Sequence, residues 1–516
     1  MAHKQEIDVE ELKRGGLVKL KEKDMFSVWV KTSCCNLNAA QLRKLADITE
    51  KYARGFLLFT SRQIPIIPFV NIKDVGEVKR ELAAVYLELD RCGPRVRNIN
   101  VCYDDNICSD AVTDSLALGE KLEGFFRDPI LHKIKIGVSG CKKDCIISRV
   151  LNDISFVGVE TDGIKGYDAY VGGRLGINPF VGVKLAERLS EEECVKFVRN
   201  YFDFLGREGK AGERSADLVK RLGVPEMKQE LNKDLKEGTL SKPIACETRL
   251  KQKETDRTIL RIRATCGEVT SKQLIRIADI AEKYGKGFVH FAVRGSPEIP
   301  CIDKRDWESI RSELREVNLR ILDRGIDNLQ ACFGDYCTES IVAPQSLLKR
   351  IEGKIEELNL NNLDIKISAS GCPNSCGIAH LNDLGFHGIL EPEVDVNNCT
   401  GCGLCVPICK RKAIEMKNNV AVIDKERCGY CGSCVAVCPV SGIKEKRRGF
   451  VVLVGGRGGE DTRLGQTVAE FLSEEEALHV AGIYLQMVKD KNINAATLID
   501  RVGLQKFKKM LIPITR

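Results

Sequence analysis

Residues 37–64 read LNAAQLRKLADITEKYARGFLLFTSRQI, and residues 269–296 read VTSKQLIRIADIAEKYGKGFVHFAVRGS. Each stretch spaces its apolar residues for an amphipathic helix, passes a glycine and runs into a short apolar strand ending near an arginine. Two such segments in one chain indicate an internal duplication, and a repeat missed here would misread the whole fold. Working outward, KIKIGVSGCKKDC (133–145) parallels DIKISASGCPNSC (364–376), and LNDISFVGV (151–159) parallels LNDLGFHGI (381–389). YVGGRLG (170–176) parallels LVGGRGG (453–459). Both copies then enter a long helix, LAERLSEEECVKFVRNYF (185–202) and VAEFLSEEEALHVAGIYL (468–485).

Copy one therefore covers about 1–240 and copy two about 246–516, with the polar stretch KEGTLSK (236–242) as the linker. Copy two holds an insertion, 391–446, between LNDLGF and LVGGRGG, and removing it restores the alignment. The insertion is thus a separate small module. Strands alternate with helices without the regular rhythm of a doubly wound sheet, which predicts an α+β fold.

A chain of 516 residues has room for two or three domains, and 43% apolar with 30% charged residues is ordinary for a globular protein. The 80 basic and 73 acidic residues leave a net charge of +7, too modest to point to nucleic acid. Such a bias suits an anionic substrate, a cofactor with several carboxylates or an acidic electron donor. The start of the chain lacks an apolar signal core, and no apolar run approaches the roughly 18 residues of a membrane span. The expectation is a cytoplasmic protein without a membrane span.

The 23 cysteines are the informative count. Their spacings are those of metal ligands rather than disulfides, and sixteen fall into four compact groups. The other seven (Cys34, Cys35, Cys92, Cys194, Cys246, Cys266, Cys301) are scattered and read as buried small apolar residues. Within the insertion, CTGCGLCVPICK carries Cys399, Cys402, Cys405 and Cys409, and CGYCGSCVAVCP carries Cys428, Cys431, Cys434 and Cys438. Two C-x2-C-x2-C-x3-C runs form the bacterial ferredoxin pattern, in which the fourth cysteine of each run crosses to the other cluster. One [4Fe–4S] cluster is then assigned to Cys399, Cys402, Cys405 and Cys438. The other takes Cys428, Cys431, Cys434 and Cys409. Zinc, which usually takes four ligands in two pairs, and disulfides are the alternatives. Many thiolate-bound iron sites would imply a reducing, anaerobic setting.

The remaining eight cysteines form a second kind of site. Copy one has Cys102-x5-Cys108 followed by Cys141-x3-Cys145, and copy two has Cys332-x4-Cys337 followed by Cys372-x3-Cys376. Two short pairs far apart in sequence can offer four thiolates to one cluster from adjacent loops. Spacing alone leaves zinc as a rival.

C-x5-C followed by C-x3-C, with SGCPNSCG and a later LVGG, resembles the sirohaem–[4Fe–4S] site of the sulfite and nitrite reductases, a family itself built from two such halves. The ferredoxin insertion resembles the dissimilatory and anaerobic sulfite reductases in particular. The resemblance implies a ferredoxin-like half-domain at 1–92 and at 246–325. It implies sirohaem/[4Fe–4S] domains at 93–240 and at 326–390 with 447–516, and a two-cluster ferredoxin domain at 391–446. Cys376, with Cys145 as its copy-one counterpart, matches the cysteine that bridges cluster and sirohaem iron. Arg97, Lys133 and Lys135 match positions that hold the anionic substrate. The bland alternative for the two lysines is a solvent-facing strand edge. Arg62, Arg174, Arg294, Arg457 and Arg463 match, or lie near, positions that grip sirohaem carboxylates, a task suited to the guanidinium fork.

The match has departures. The copy-two loop is C-x4-C, and Trp29 stands where the family has a substrate-binding arginine, with Lys31 two residues on; copy two has Arg261 and Arg263 there. Copy two lacks a partner for Arg97 and carries Asp364 opposite Lys133, keeping Lys366. Two arrangements follow. The active sirohaem sits on the copy-two cluster facing Arg97, Lys133 and Lys135; or both copies hold clusters and one haem site is structural or blocked by Trp29. The first is preferred for catalysis, with clusters expected in both copies. The glycine-rich VGGRLG and VGGRGG lack dinucleotide-site order and read as letting backbone approach the tetrapyrrole. The run Lys444–Arg448 reads as a solvated loop. The implied activity is reduction of sulfite to sulfide, with nitrite to ammonia as the alternative and electrons from an external donor protein. The rival is a non-catalytic electron-transfer protein, or a family member turned to another small substrate, and an oligomer is compatible with either.

Overall fold

The computed structural model describes residues 8–127, 130, 132–235, 256–322, 329–360, 365–491, 493 and 495–511. The linker 236–242, Cys246 and Asp364 lie outside the described residues. The chain divides into two compact units, residues 1–323 with 458–462 and residues 324–457 with 463–516.

In the first unit the duplicated stretches form the helices Ala39–Tyr52 and Ser271–Tyr284. Each starts at a capping box, Asn38 with Gln41 and Thr270 with Gln273, which satisfies two otherwise orphaned N–H groups. The strands Phe56–Phe59 and Phe288–Phe291 follow, as the sequence predicts. Their sheets are not separate. One runs Leu17–Lys19, Met25–Trp29, Pro65–Asn71, Phe56–Phe59 and ends on Glu268–Thr270 from copy two. The other runs Arg320–Ile321, Arg257–Arg263, Pro297–Asp303, Phe288–Phe291 and ends on Asn36–Asn38 from copy one. The copies exchange edge strands and fill one core, with Leu42, Leu45 and Phe59 buried in the same cluster as Leu274, Ile277 and Phe291. Phe59 and Phe291 stack with ring centroids 4.0 Å apart at that junction.

The cysteine-bearing part of copy one is a mixed sheet ordered Val183–Leu189, Ile164–Val171, Ile154–Thr161, Ile136–Ser139, Asn100–Val101. The last three run parallel and the first two antiparallel. The hairpin between Ile154–Thr161 and Ile164–Val171 closes through Asp162 and Gly163, both at positive φ (53° and 75°), the conformation a tight two-residue turn needs.

The second unit repeats this sheet as Gln330–Ala331, Ile367–Ser370, Leu384–Val394, Ile443–Val454, Gln466–Leu472. Its hairpin is longer, pairing Val394 with Ile443, and the ferredoxin-patterned module occupies the place of the Asp162–Gly163 turn. The module carries its own small hairpin, Ile414–Lys417 with Val420–Ile423. The basic run Lys444–Arg448 is not a loop but the start of the strand Ile443–Val454. Strand pairing sets its partners: Arg447 contacts Glu391 at 2.6 Å and Lys444 contacts Asp395 at 3.1 Å. Among the described residues no helix is long and apolar enough to cross a membrane.

Candidate cluster and anion sites

Parallel strands deliver the thiols of copy one. Cys102 leaves Asn100–Val101 with its N–H on the Val138 carbonyl at 2.9 Å, and Cys141 follows the neighbouring strand Ile136–Ser139 by one residue past Gly140. Between Cys141 and Cys145 the chain turns at Asp144 (φ 43°), whose buried carboxylate accepts from Ser139 Oγ (2.6 Å) and the Ser148 N–H (2.8 Å). Burial, and then the charges of Cys145, Cys108 and Cys141, push the Cys102 thiol well above its ordinary range. The quartet is therefore one electrostatic cluster.

Copy two repeats the arrangement within the second unit. The Cys332 N–H bonds the Ala369 carbonyl at 3.2 Å, and the Gly371 N–H donates to Cys332 Sγ at 3.2 Å. Ser375 (φ 53°) makes the turn before Cys376, with its hydroxyl 2.8 Å from His380 Nδ1. Burial, then Cys376, Cys372 and Cys337, push Cys332 well above its ordinary value, and burial followed by Cys376 pushes Cys372 up to about 12. The two thiol pairs of copy two share one locus despite the shorter first loop.

In the inserted module a small cavity of about 20 Å³ is lined by Cys399, Cys402, Cys405 and Cys438. Burial first, and then neighbouring thiols, raise Cys405 (Cys399, Cys402, Cys438) and Cys434 (Cys431, Cys428). Cys428 feels burial, then the Tyr430 N–H, Cys431 and Cys409. The fourth cysteine of each run thus stands with the other run's three. Backbone amides point at the sulfurs: Ala413 N–H at Cys409 (3.2 Å), Tyr430 N–H at Cys428 (3.4 Å) and Ile443 N–H at Cys438 (3.3 Å). Burial opposes ionisation of Cys438, but the amides of Ile443, Val440, Gly442 and Ser441 outweigh it and hold the thiol below its usual value. Four thiols with amide donors suit an iron–sulfur cubane. Among the described residues no three His, Cys, Asp or Glu side chains are gathered tightly enough to hold one metal ion.

The cations singled out in copy one lie close together, in unequal states. Arg97, 2% exposed, is held by Asp90 through Nε (3.1 Å) and Nη2 (2.6 Å), and its guanidinium lies 5.1 Å from the Trp29 ring. Lys31 is paired with Glu123 at 3.0 Å. Lys135 is half-buried, and burial first, then the charges of Arg62, Lys133 and Arg214, outweigh Asp153 and hold its ammonium well below the ordinary lysine range. Arg214, which the repeat alignment did not single out, is fixed by Asp153 at 2.8 Å.

The arginines assigned to carboxylate binding are each partly engaged. Arg62 donates to Asn152 Oδ1 (2.8 Å) and the Asn98 carbonyl (2.5 Å), and its buried Nε makes no hydrogen bond. Burial, then Arg97, lower its pKa to about 10. Arg174 pairs with Asp217 (2.6 Å) while its Nη2 is buried without a partner. In the second unit Arg463 pairs with Asp500 (2.9 Å) and bonds the Gly455 carbonyl (3.0 Å), its Nη2 likewise unsatisfied. Arg294 is buried, and Arg457 is exposed on a two-way backbone bridge with Arg463. Buried guanidinium N–H groups without acceptors are costly, and a carboxylate-rich cofactor would satisfy them. Two of the paired glycines are confined by the chain itself. A Cβ on Gly173 would stand 2.3 Å from the Asn152 carbonyl oxygen, and one on Gly456 2.4 Å from that of His380. The chain's own backbone requires them.

A duplicated sheet core with four cysteines beside each sheet, and eight more in a module at a hairpin tip, has the ligand supply of an iron–sulfur protein. Residues 92–238 and 324–513 match the nitrite and sulphite reductase 4Fe-4S domain, and residues 18–85 and 250–317 match the nitrite/sulfite reductase ferredoxin-like half domain. The chain belongs to the nitrite and sulphite reductase family. It is 24% identical over 392 residues, 71% of this chain and 70% of the relative, to "Sulfite reductase [ferredoxin] 2" of Mycolicibacterium paratuberculosis. It is 34% identical over 258 residues to the "Coenzyme F420-dependent sulfite reductase" of Methanocaldococcus jannaschii, a match spanning 48% of this chain and 41% of that protein. The Mycobacterium tuberculosis NirA protein shares the fold, with a TM-score of 0.73 and 18% identity over 97% of this chain and 90% of that one.

Proposed function

We propose that this protein reduces sulfite to sulfide in six one-electron steps, with electrons passing from an external donor protein through the inserted ferredoxin module. The observation that carries the reading is the grouping of Arg62, Lys133 and Arg214 around Lys135. Asp153 pairs with Arg214 and offsets part of this charge, and a small anion would offset the rest. When bound, a sirohaem with its [4Fe–4S] cluster would supply single electrons to a small anion. Cys332, Cys337, Cys372 and Cys376 would hold that cluster, with Cys376 nearest the sirohaem in this reading. The copy-one quartet Cys102, Cys108, Cys141 and Cys145 and the eight module cysteines carry further clusters. Arg62, Arg174, Arg294, Arg457 and Arg463 hold the carboxylates of the tetrapyrrole.

The protein side chains provide charge and protons. Arg97, neutralised by Asp90, gives a fixed hydrogen-bonding dipole. Lys133 adds positive charge near Lys135. Lys135 Nζ, whose proton is loosened by burial and three neighbouring cations, is the proton donor as oxygens leave as water. The reducing cytoplasm is the compartment that suits so many thiolate ligands.

Anaerobically purified protein tests the reading. Extractable sirohaem, with a Soret band and a separate red band, and sulfite-dependent oxidation of reduced viologen are expected. Lys135→Ala should lower kcat by about 10²–10⁴-fold. Turnover of nitrite alone would make the protein a nitrite reductase, and turnover of neither anion would refute the proposal.

A further inference from the structure

The two half-domain sheets place residues of equal register side by side, which gives an internal control. On the copy-two sheet Glu298 lies directly opposite Arg261 on one neighbouring strand and His290 on the other. On the copy-one sheet the same three places are Ile66, Trp29 and Leu58. An apolar row has therefore become a charged one. Glu298, 4% exposed, accepts from Arg261 Nε at 2.5 Å. His290 is buried beside it, bonded to Asn36 Oδ1 at 3.0 Å, with the Tyr103 ring 4.4 Å away. Tyr103 follows Cys102 directly, and its buried hydroxyl makes no hydrogen bond. Glu298, through its strand neighbour His290 and the Tyr103 ring, therefore stands beside the loop that carries Cys102.

We propose that Glu298 closes the copy-one centre to anions, so that the two pseudo-equivalent centres of this chain do different work. The inference rests on the proposed function in one respect, that Cys102, Cys108, Cys141 and Cys145 carry the same kind of cofactor as their counterparts. Arg261 stands at the register of Trp29, the place the resemblance gives to a substrate-binding arginine, and Glu298 pairs with it; a buried carboxylate there also repels an anion where water screens poorly. The copy-one centre then passes electrons without taking sulfite. Glu298 is a specificity-determining residue whose role shows in binding rather than in folding. Ile66 at the corresponding register shows that this sheet position accepts a branched apolar side chain.

Equilibrium dialysis of radiolabelled sulfite against the holoprotein, without reductant, tests the idea. Wild type should bind one sulfite per chain, and Glu298→Gln should bind two, the second site tightening by on the order of 100-fold. Glu298→Ile, which takes the residue of the other half, should do the same, and cluster content and circular dichroism report whether each variant is folded. A Glu298→Gln protein that is folded and cluster-replete yet still binds one sulfite would overturn the proposal. So would two sulfites bound by wild type. Binding of none by any form would remove this proposal together with the proposed function, whereas sirohaem-dependent turnover with unchanged stoichiometry would sink this proposal alone.

Discussion

A guanidinium with 2% of its surface exposed must be matched by a buried acceptor, and Arg97 is matched by Asp90, itself fully buried. Burial alone would raise the Asp90 pKa, but the charge and hydrogen bonds of Arg97 outweigh it and hold the carboxyl below its usual range. Asp90→Ala leaves a buried cation uncompensated and should cost about 3–5 kcal/mol in urea unfolding. A depressed carboxylate stabilises the fold above its unfolded pKa and loses that contribution as pH falls through the native value. Acid should therefore destabilise wild type more than Asp90→Asn, a comparison thermal melts at pH 3 to 5 would make. His387 has the opposite chemistry and the same sign. Burial lowers its pKa to about 4, so it stays neutral when folded and charges when unfolded. Stability should fall between pH 6.5 and 4, with the stacked His380, lowered to about 3 by burial and then His387, adding to the loss, and His387→Phe should lessen that fall. The repeated cysteines were legible in the sequence because ligand spacing is local. Asp90, Arg214 and Glu298 were not, because each matters through a partner that only folding supplies.

Among the elements, the hairpin Leu384–Val394 with Ile443–Val454 decides where the ferredoxin-patterned module sits. Its copy-one equivalent shows that the same hairpin closes through two residues, Asp162 and Gly163. Replacing residues 395–442 by Asp-Gly should leave a folded protein, by circular dichroism, that has lost the iron of two clusters. A collapse of the whole chain would mean the module is structural. The helices were legible from 3.6-residue periodicity and capping residues. The strand at Lys444–Arg448 was hidden, because a run of charge carries no alternation and its pairing partners Glu391 and Asp395 are 49 or more residues away.

For the whole molecule, the sequence divides naturally into two copies, yet the half-domain sheets trade edge strands and bury one common core. Phe59→Ala opens a cavity at the junction with Phe291 and should cost about 3–5 kcal/mol in a single unfolding transition that takes both half-domains together. Residues 1–240 and 246–516 expressed apart should be insoluble, each exposing an unpaired strand edge and half a core, and co-expression should restore soluble protein. Separate, monomeric, folded halves would contradict the shared core.

The sequence by itself determined the duplication, the α+β class, the insertion and the sixteen candidate ligands, since periodicity and cysteine spacing are properties of neighbouring residues. Tertiary structure decided how the first-unit sheets interlock, which cations are neutralised and which row of the duplicated sheet is charged. Those depend on cross-strand register and on burial, which bring together residues that the chain keeps far apart.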